Sequence, residues 1–403
     1  MEALHVIADD LTGACDVGAA LLPWPTPVVV WPDGDGADGG AAQLVIRNTQ
    51  SRALPAAAAA RRVRDVLGAG GARDGIVLKK IDTGLRGHLG AEIDAAMDAV
   101  GARRAFVLPA IPEVGRTTVG GEQRLDGVPV HRTAFGSDPL NPVRESQVAA
   151  VISRGTGRAV GTVSLDAVRG PGGPGAAIDA SDAAILVLDA ETDADLAAGV
   201  RAVLHRPRPL LLVGSTGVAR ALRAALAPRE GPAPRHQGPA TGSGTLVVVG
   251  SAHPVARAQR DEARRAGVLQ AVLEVDAAGA TAAGVRAAAL LAAGGTVALV
   301  APDVVTPGHE AVIGAALRAA AVTALEGCVP AGLVLVGGET AYEVLAGLGH
   351  PPLVVEGRAA PLAVRGRIAA GRYGGVAVVT KGGSSGGAEL LAALVREPKG
   401  EAA

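Results

Sequence analysis

Short apolar runs alternate with Ala-, Leu- and Arg-rich stretches of helical period along the whole chain. That alternation is the signature of βα units and a mostly parallel sheet. In the first half it predicts strands at Leu4–Ala8, Val28–Trp31, Leu44–Arg47, Ile76–Lys79, Arg104–Leu108, Ile185–Leu188 and Leu210–Val213. Helices are expected over Gly13–Leu22, Leu54–Leu67, Gly90–Val100, Asp193–Leu204 and Val218–Leu226. From Ala227 to Gly244 the run APREGPAPRHQGPATGSG loses its apolar periodicity and reads as a linker, and a fresh α/β pattern starts at Thr245–Val249. The expected fold class is α/β with two domains, each a mostly parallel sheet flanked by helices: residues 1–227, a linker over 228–244, and residues 245–403. PDGDGADGG (Pro32 to Gly40) and RGPGGPG (Arg169 to Gly175) read as surface loops.

The polar residues gather where strands end. In the second half three strands each run into a small-residue loop and then a helix: LVVVGSAHP, LVLVGGET and VAVVTKGGSSGG. Loops at the carboxyl ends of parallel strands line the binding crevice of an open α/β sheet, and a helix N-terminus behind a glycine favours an anion. Three such loops suit a nucleotide's phosphates, with Lys381 as a positive point charge; the alternative is tight turns in a Gly-rich chain.

In the first half the strand Leu4–Ala8 ends in adjacent acids, Asp9 and Asp10. A carboxylate pair repels itself, so a cation or a chemical task belongs beside it. KKIDTGLRGHLG (Lys79 to Gly90) sets Lys80, Asp82, Arg86 and His88 on one turn, and Arg86 could hold a small carboxylate in a two-pronged geometry; the alternative is a surface ion pair at a helix start. NTQSR (Asn48 to Arg52) ends another strand with Arg52 available. LPAIPEVGRTTVGG (Leu108 to Gly121) and SDPLNPVRES (Ser137 to Ser146) read as polar loops of the kind that carry function. Gly34-x-Gly36-x-x-Gly39 and Gly170-x-Gly172-x-x-Gly175 match the dinucleotide pattern but lack its strand-to-helix context, and no Gly-Lys dipeptide offers a P-loop.

Composition narrows the classes. At 403 residues with 49% hydrophobic and 19% charged residues the chain has ample material for a core, and aromatics at 1% leave the packing to Ala, Val and Leu. A net charge of −1 with no basic block argues against nucleic acid as a partner. Two cysteines, Cys15 and Cys328, make neither a disulfide framework nor a metal site. MEALHVIADD shows no signal-peptide pattern, and Ala287–Ala301 is too short for a membrane span and split by Gly294–Gly295, so a cytoplasmic protein without a membrane partner is expected. Only four of the 38 Lys and Arg residues are lysines (Lys79, Lys80, Lys381 and Lys399), which marks a motif lysine as a place needing a compact ammonium.

Taken together, ADDLTGACD, NTQSR, KKIDTGLRGHLGAEI, PAIPEVGRTTVGG, DPLNPVRES, GSTGVA, GSAHPVARAQ, GGETA and TKGGSSGG resemble, in order and along essentially the whole chain, the four-carbon acid sugar kinase family. The resemblance implies ATP-dependent phosphorylation of threonate, erythronate or an oxo-tetronate, with Mg²⁺, and an N-terminal domain for the acid and a C-terminal domain for ATP. Sugar-acid contacts are implied for Asp9, Arg52, Lys80, Asp82 and Arg86. ATP contacts are implied for Ser251, Gly337, Gly338, Glu339, Thr340, Lys381, Gly382 and Gly383. Asp10 is the candidate base for the attacking hydroxyl, and Asp9 is expected to be structural or to orient Thr12 and the helix start. The family's K-x-D-S-T-L-R-G-N reads here Lys80-Ile81-Asp82-Thr83-Gly84-Leu85-Arg86-Gly87-His88, and its K-S-G-G-F-G reads Lys381-Gly382-Gly383-Ser384-Ser385-Gly386. Two rivals stand beside the kinase: a sugar-acid-binding or regulatory protein of the same fold, and a nucleotide-dependent dehydrogenase. A homo-oligomer is compatible with the pattern, as are several stereoisomers of the acid.

Overall fold

A computed structural model of the chain describes residues 4–23, 27–31, 44–68, 74–138, 142–226, 242–303 and 308–396. The expected linker 228–244 lies outside these apart from residues 242–244, and so does the whole of Pro32–Gly40 with its first glycine match. In chain order the strands of the first half are β1 (Leu4–Ala8), β2 (Pro27–Val30), β3 (Leu44–Asn48), β4 (Ile76–Lys80), β5 (Ala105–Leu108), β6 (Arg116–Val119), β7 (Glu122–Leu125), β8 (Val128–Pro129), β9 (Val160–Val163), β10 (Ile185–Leu188) and β11 (Leu210–Gly214). Those of the second half are β12 (Thr245–Val249), β13 (Ala271–Glu274), β14 (Thr296–Val300), β15 (Gly332–Val336), β16 (Leu353–Ala360), β17 (Ala363–Ile368) and β18 (Ala377–Lys381).

The chain divides into two compact units, one formed by residues 1–25 and 42–231 and the other by 26–41 and 232–403. The first unit holds a parallel sheet in the order β3-β1-β4-β11-β5-β10-β9 and a small antiparallel sheet β6-β7-β8. Its inner strands β5, β10 and β11 are apolar and buried along their whole length, as expected of a parallel sheet covered on both faces. One such face packs Ile7, Val77, Val107, Val187 and Val213 against Leu89, Ile93 and Met97 of the helix Leu89–Val100. Each fully buried aliphatic side chain contributes about 1.5–3 kcal/mol. From β1 the chain passes to β3 on one side, and from β4 it passes to β5 on the other. The carboxyl ends of neighbouring β1 and β4 therefore open a crevice where the winding reverses.

The second unit orders its strands β13-β14-β12-β15-β18-β17-β16-β2. Here β12 leads toward β13 and β15 toward β16, which puts the reversal between β12 and β15. The pairing register sets Val249, Val336 and Lys381 in one row. One residue further on stand Gly250, Gly337 and Gly382.

Three expectations change. The strand expected at Val28–Trp31 runs over Pro27–Val30 and belongs to the second unit, where Val28 and Val29 pair antiparallel with Val354 and Leu353. The stretch read as a loop at Leu108–Gly121 contains β6, because Arg116–Val119 pairs residue for residue with Glu122–Leu125 around the left-handed Gly120 and Gly121. Arg169–Gly175 is not one loop: helices Leu165–Arg169 and Gly173–Asp179 enter it from both sides. Its glycine match thus sits between two helices, not between a strand and a helix. Among the described residues no helix is long and apolar enough to cross a membrane.

Candidate active site

The two acids after β1 have a partner. Arg52, four residues beyond β3, donates from Nε and Nη2 to the two Asp9 oxygens at 3.0 and 2.9 Å and from Nη1 to Asp10 Oδ2 at 2.9 Å. Backbone bonds fix this approach: the amides of Ser51 and Arg52 both donate to the Asp9 carbonyl, at 3.0 and 3.2 Å. Asp10 also caps the helix Leu11–Leu21, accepting from the Gly13 amide at 2.9 Å and from the Thr12 hydroxyl at 2.6 Å. The orienting role expected of Asp9 therefore falls to Asp10. A carboxylate at a helix N-terminus meets unpaired amides and the positive end of the helix dipole.

Position divides the pair electrically. Burial raises the Asp9 carboxyl above its ordinary value, and the neighbouring Asp10 adds to that, against the pull of Arg52. Burial acts on Asp10 too, but Arg52, Lys80 and the Thr12 hydroxyl outweigh it and hold Asp10 below the usual carboxylate range. Of the two, Asp10 gives up its proton the more readily. Lys80 ends β4 in register with Ala8, its ammonium donating to the Ile81 carbonyl at 2.7 Å, and a methyl group at Gly13 would lie 3.0 Å from that ammonium and 2.5 Å from Asp10 Oδ1.

The Asp82–Arg86 turn departs from the expectation for a ligand clamp. Arg86 donates from Nε and Nη2 to the two Asp82 oxygens at 2.8 and 3.0 Å, and from Nη1 to Asp138 at 2.9 Å. The fork expected to hold a ligand carboxylate already holds protein carboxylates. Burial would raise Asp82, but Arg86 and then Arg52 drive it well below its ordinary value. His88 turns to the Leu54 carbonyl, 2.6 Å away. A cavity of about 460 Å³ opens beside this turn, lined in part by Arg86, His88, Arg144, Glu145 and Arg154. Lys79 and Glu92, both buried, form an ion pair that ties β4 to the helix Leu89–Val100.

In the second unit the three glycine loops meet. A methyl group at Gly383 would lie 2.6 Å from the Ser251 β-carbon, and one at Gly337 3.5 Å from the same atom. Gly337 has φ +111°, a conformation only glycine adopts freely, and it opens the helix Gly338–Gly347, which carries Gly338, Glu339 and Thr340 in its first turn. The Gly337 amide donates to the Lys381 carbonyl at 2.9 Å. Gln259, fully buried on the helix Pro254–Arg265, donates from one nitrogen to the carbonyls of Ser385, Gly386 and Gly387 at 2.9, 3.1 and 2.8 Å. It was not singled out from the sequence, where a glutamine on a polar helix gives no signal.

Lys381 is fully buried, and among the described residues it has no carboxylate partner; its ammonium donates to the Gly382 carbonyl at 2.7 Å. Burial alone lowers it to about 8. A buried ammonium at the start of a glycine loop, with no carboxylate to offset its charge, suits an anion.

A sugar-binding N-terminal domain model matches residues 4–222, and a nucleotide-binding C-terminal domain model matches residues 246–391. The chain belongs to the four-carbon acid sugar kinase family. It is 36% identical to D-threonate kinase of Salmonella typhimurium over 68% of this chain and 63% of that protein. It is 32% identical to D-erythronate kinase of Heliobacterium modesticaldum over 64% and 60%, so these two alignments span under two thirds of the relatives' length. D-threonate kinase of Bordetella bronchiseptica is 31% identical over 96% of this chain and 95% of that protein. The fold is shared with crystal structures from S. typhimurium (TM-score 0.77, 21% identity, 98% and 99% covered) and Haemophilus influenzae (TM-score 0.69, 18% identity, 98% and 100% covered).

Proposed function

We propose that this member of the family transfers a phosphoryl group from ATP to a hydroxyl of a four-carbon sugar acid. The observation that carries the reading is Lys381: a buried ammonium without a carboxylate partner among the described residues, at the mouth of three glycine loops on adjacent strand ends. The residues present fit a nucleotide's phosphates, since Gly383 brings its loop against Ser251 more closely than any residue with a β-carbon could. Ser251, Gly337, Gly338, Thr340, Gly382 and Gly383 would hold the phosphates through backbone amides and hydroxyls, with Lys381 as counter-charge and the exposed Glu339 at the rim.

Bound there, ATP supplies the phosphoryl group, and the rest falls to side chains of the chain. Arg52 and Lys80 would bind and orient the acid, with Asp9 holding Arg52 in place and the Asp82–Arg86 ion pair fixing the turn beside them. Asp10 is ionised, fixed at a helix start, and able to accept the proton of a substrate hydroxyl at a carboxylate oxygen. Its low proton affinity suits a reaction whose transition state is loose, in which the proton leaves late. Mg²⁺ is implied by the family; among the described residues no three His, Cys, Asp or Glu side chains gather to hold a metal.

A screen of threonate, erythronate and oxo-tetronate isomers with an ADP-release readout tests the proposal. ADP release stimulated by one of them is expected. Tight binding of an acid without ADP release would replace the kinase by a sugar-acid-binding protein.

A further inference from the structure

The small sheet brings to the first unit's site a side chain that the sequence reading passed over. Arg116 opens β6, and its hairpin is docked from two directions. Gln123 donates to the Thr83 carbonyl at 3.1 Å, and Asp189 accepts the amides of Gly120 and Gly121 at 2.7 and 2.9 Å. Arg116 Nη1 donates to the Thr83 hydroxyl, one residue from Asp82, and its guanidinium lies over the Phe135 ring, 5.4 Å from the centroid. Arg86 lies 5.3 Å from the same centroid.

What separates the site's arginines is their counter-charge. Arg52 is met by Asp9 and Asp10, and Arg86 by Asp82 and Asp138. Arg116 makes no ion pair with a carboxylate among the described residues, and its Nε, sealed from solvent, has no hydrogen-bond partner there. Burial pushes this guanidinium below its ordinary value; Asp82 offsets part of that through space, and Arg86 works against it. A largely desolvated guanidinium with no anion in contact is costly, and a carboxylate on Nη2, which has no bond among the described residues, would offset that cost.

Gly84 bears on the same point. A methyl group there would lie 2.6 Å from Phe135 Cε1, so the ring takes the room that the family's hydroxyl side chain would need. This departure from the family pattern admits the aromatic platform on which Arg116 rests.

We propose that Arg116 receives the carboxylate of the acid ligand in the first unit, seated on Phe135 in the room left by Gly84. The proposal rests on the reading of this site as the sugar-acid site. Its test is calorimetry on the full chain with D-threonate and its neutral amide, for the wild type, Arg116→Gln and Arg116→Lys, with melting temperatures recorded for each. The wild type is expected to prefer the acid to the amide. Arg116→Gln should weaken D-threonate roughly 10- to 100-fold and erase the preference, since charge-assisted hydrogen bonds are lost. Arg116→Lys, which keeps the charge without the fork, should fall between, and it decides the matter should the glutamine variant not fold. A folded variant that keeps the full preference for the acid overturns the proposal. Should the wild type bind none of the four-carbon sugar acids, the kinase reading fails, and the same titrations are run with succinate and L-malate. Binding of either that depends on Arg116 supports the proposal; no carboxylate bound by the wild type overturns it.

Discussion

The Gly383→Ala substitution probes the nucleotide crevice with the smallest possible change. The new β-carbon would lie 2.6 Å from the Ser251 β-carbon and closer still to its hydroxyl. Rotation of the serine side chain can move the hydroxyl but not the β-carbon, so one of the two loops must retreat by about 1 Å to reach an ordinary carbon–carbon contact. Overpacking of this kind costs about 1–3 kcal/mol. If the loops are the phosphate cradle, that cost falls on the binding-competent arrangement, and the ATP dissociation constant should rise roughly 5- to 150-fold. Gly382→Ala is the matched comparison: its β-carbon would meet only the Ser385 hydroxyl, at 3.0 Å, the end of a side chain that can swing aside. Calorimetry with ATP and Mg²⁺, alongside thermal melts, reads both. ATP affinity within about twofold of wild type for Gly383→Ala, or a larger loss for Gly382→Ala, would refute the steric reasoning.

Asp10→Asn keeps a good N-cap but takes one carboxylate from the largely buried Arg52, so the melting temperature should fall while the chain stays folded and kcat drops roughly 10²–10⁴-fold; near-normal turnover would remove Asp10 from the chemistry. Burial lowers Lys381 to about 8, so its charge is present below that pH and lost above it. ATP affinity should therefore weaken as pH rises through 8, by up to about tenfold per unit, and a profile equally steep in Lys381→Met would assign the effect elsewhere. Gln259→Leu removes a donor from three carbonyls, of which that of Gly387 keeps the Leu390 amide, so hydrogen exchange over the Gly382–Leu390 amides should quicken and ATP affinity should fall; unchanged exchange would show that the loop holds itself.

Much of the sheet was legible because buried parallel strands are unbroken apolar runs. Asp193–Leu204 was read to the residue, and the structure gives its reason, a capping box between Thr192 and Asp195. The hairpin β6–β7 was not legible: Arg116, Thr117 and Val119 are half-buried, and a short polar strand between glycines looks like a loop. Nor could sequence order reveal that Pro27–Val30 pairs with a strand more than 320 positions away, Leu353 opposite Val29. In the site, residue types were readable but pairings were not. Two adjacent acids announced a need for a cation, yet nothing in NTQSR says that Arg52 rather than Lys80 would supply the bonds. Arg86 could be a ligand clamp or an ion pair at a helix start, and the structure gives the ion pair: its fork closes on Asp82, four residues back, and its third nitrogen on Asp138, 52 residues on. Arg116 stood in a quoted motif, and its distinguishing feature, the absence of a counter-charge, exists only in three dimensions.

The central claim is tested most directly by mass spectrometry of the acid itself. With ATP, Mg²⁺ and D-threonate, D-erythronate or 3-oxo-tetronate, the wild type should convert one of them to its monophosphate, with ADP formed in equal amount and the product lost in Asp10→Asn. If ATP and an acid both bind and no phosphorylated acid forms, the chain is not the kinase argued here.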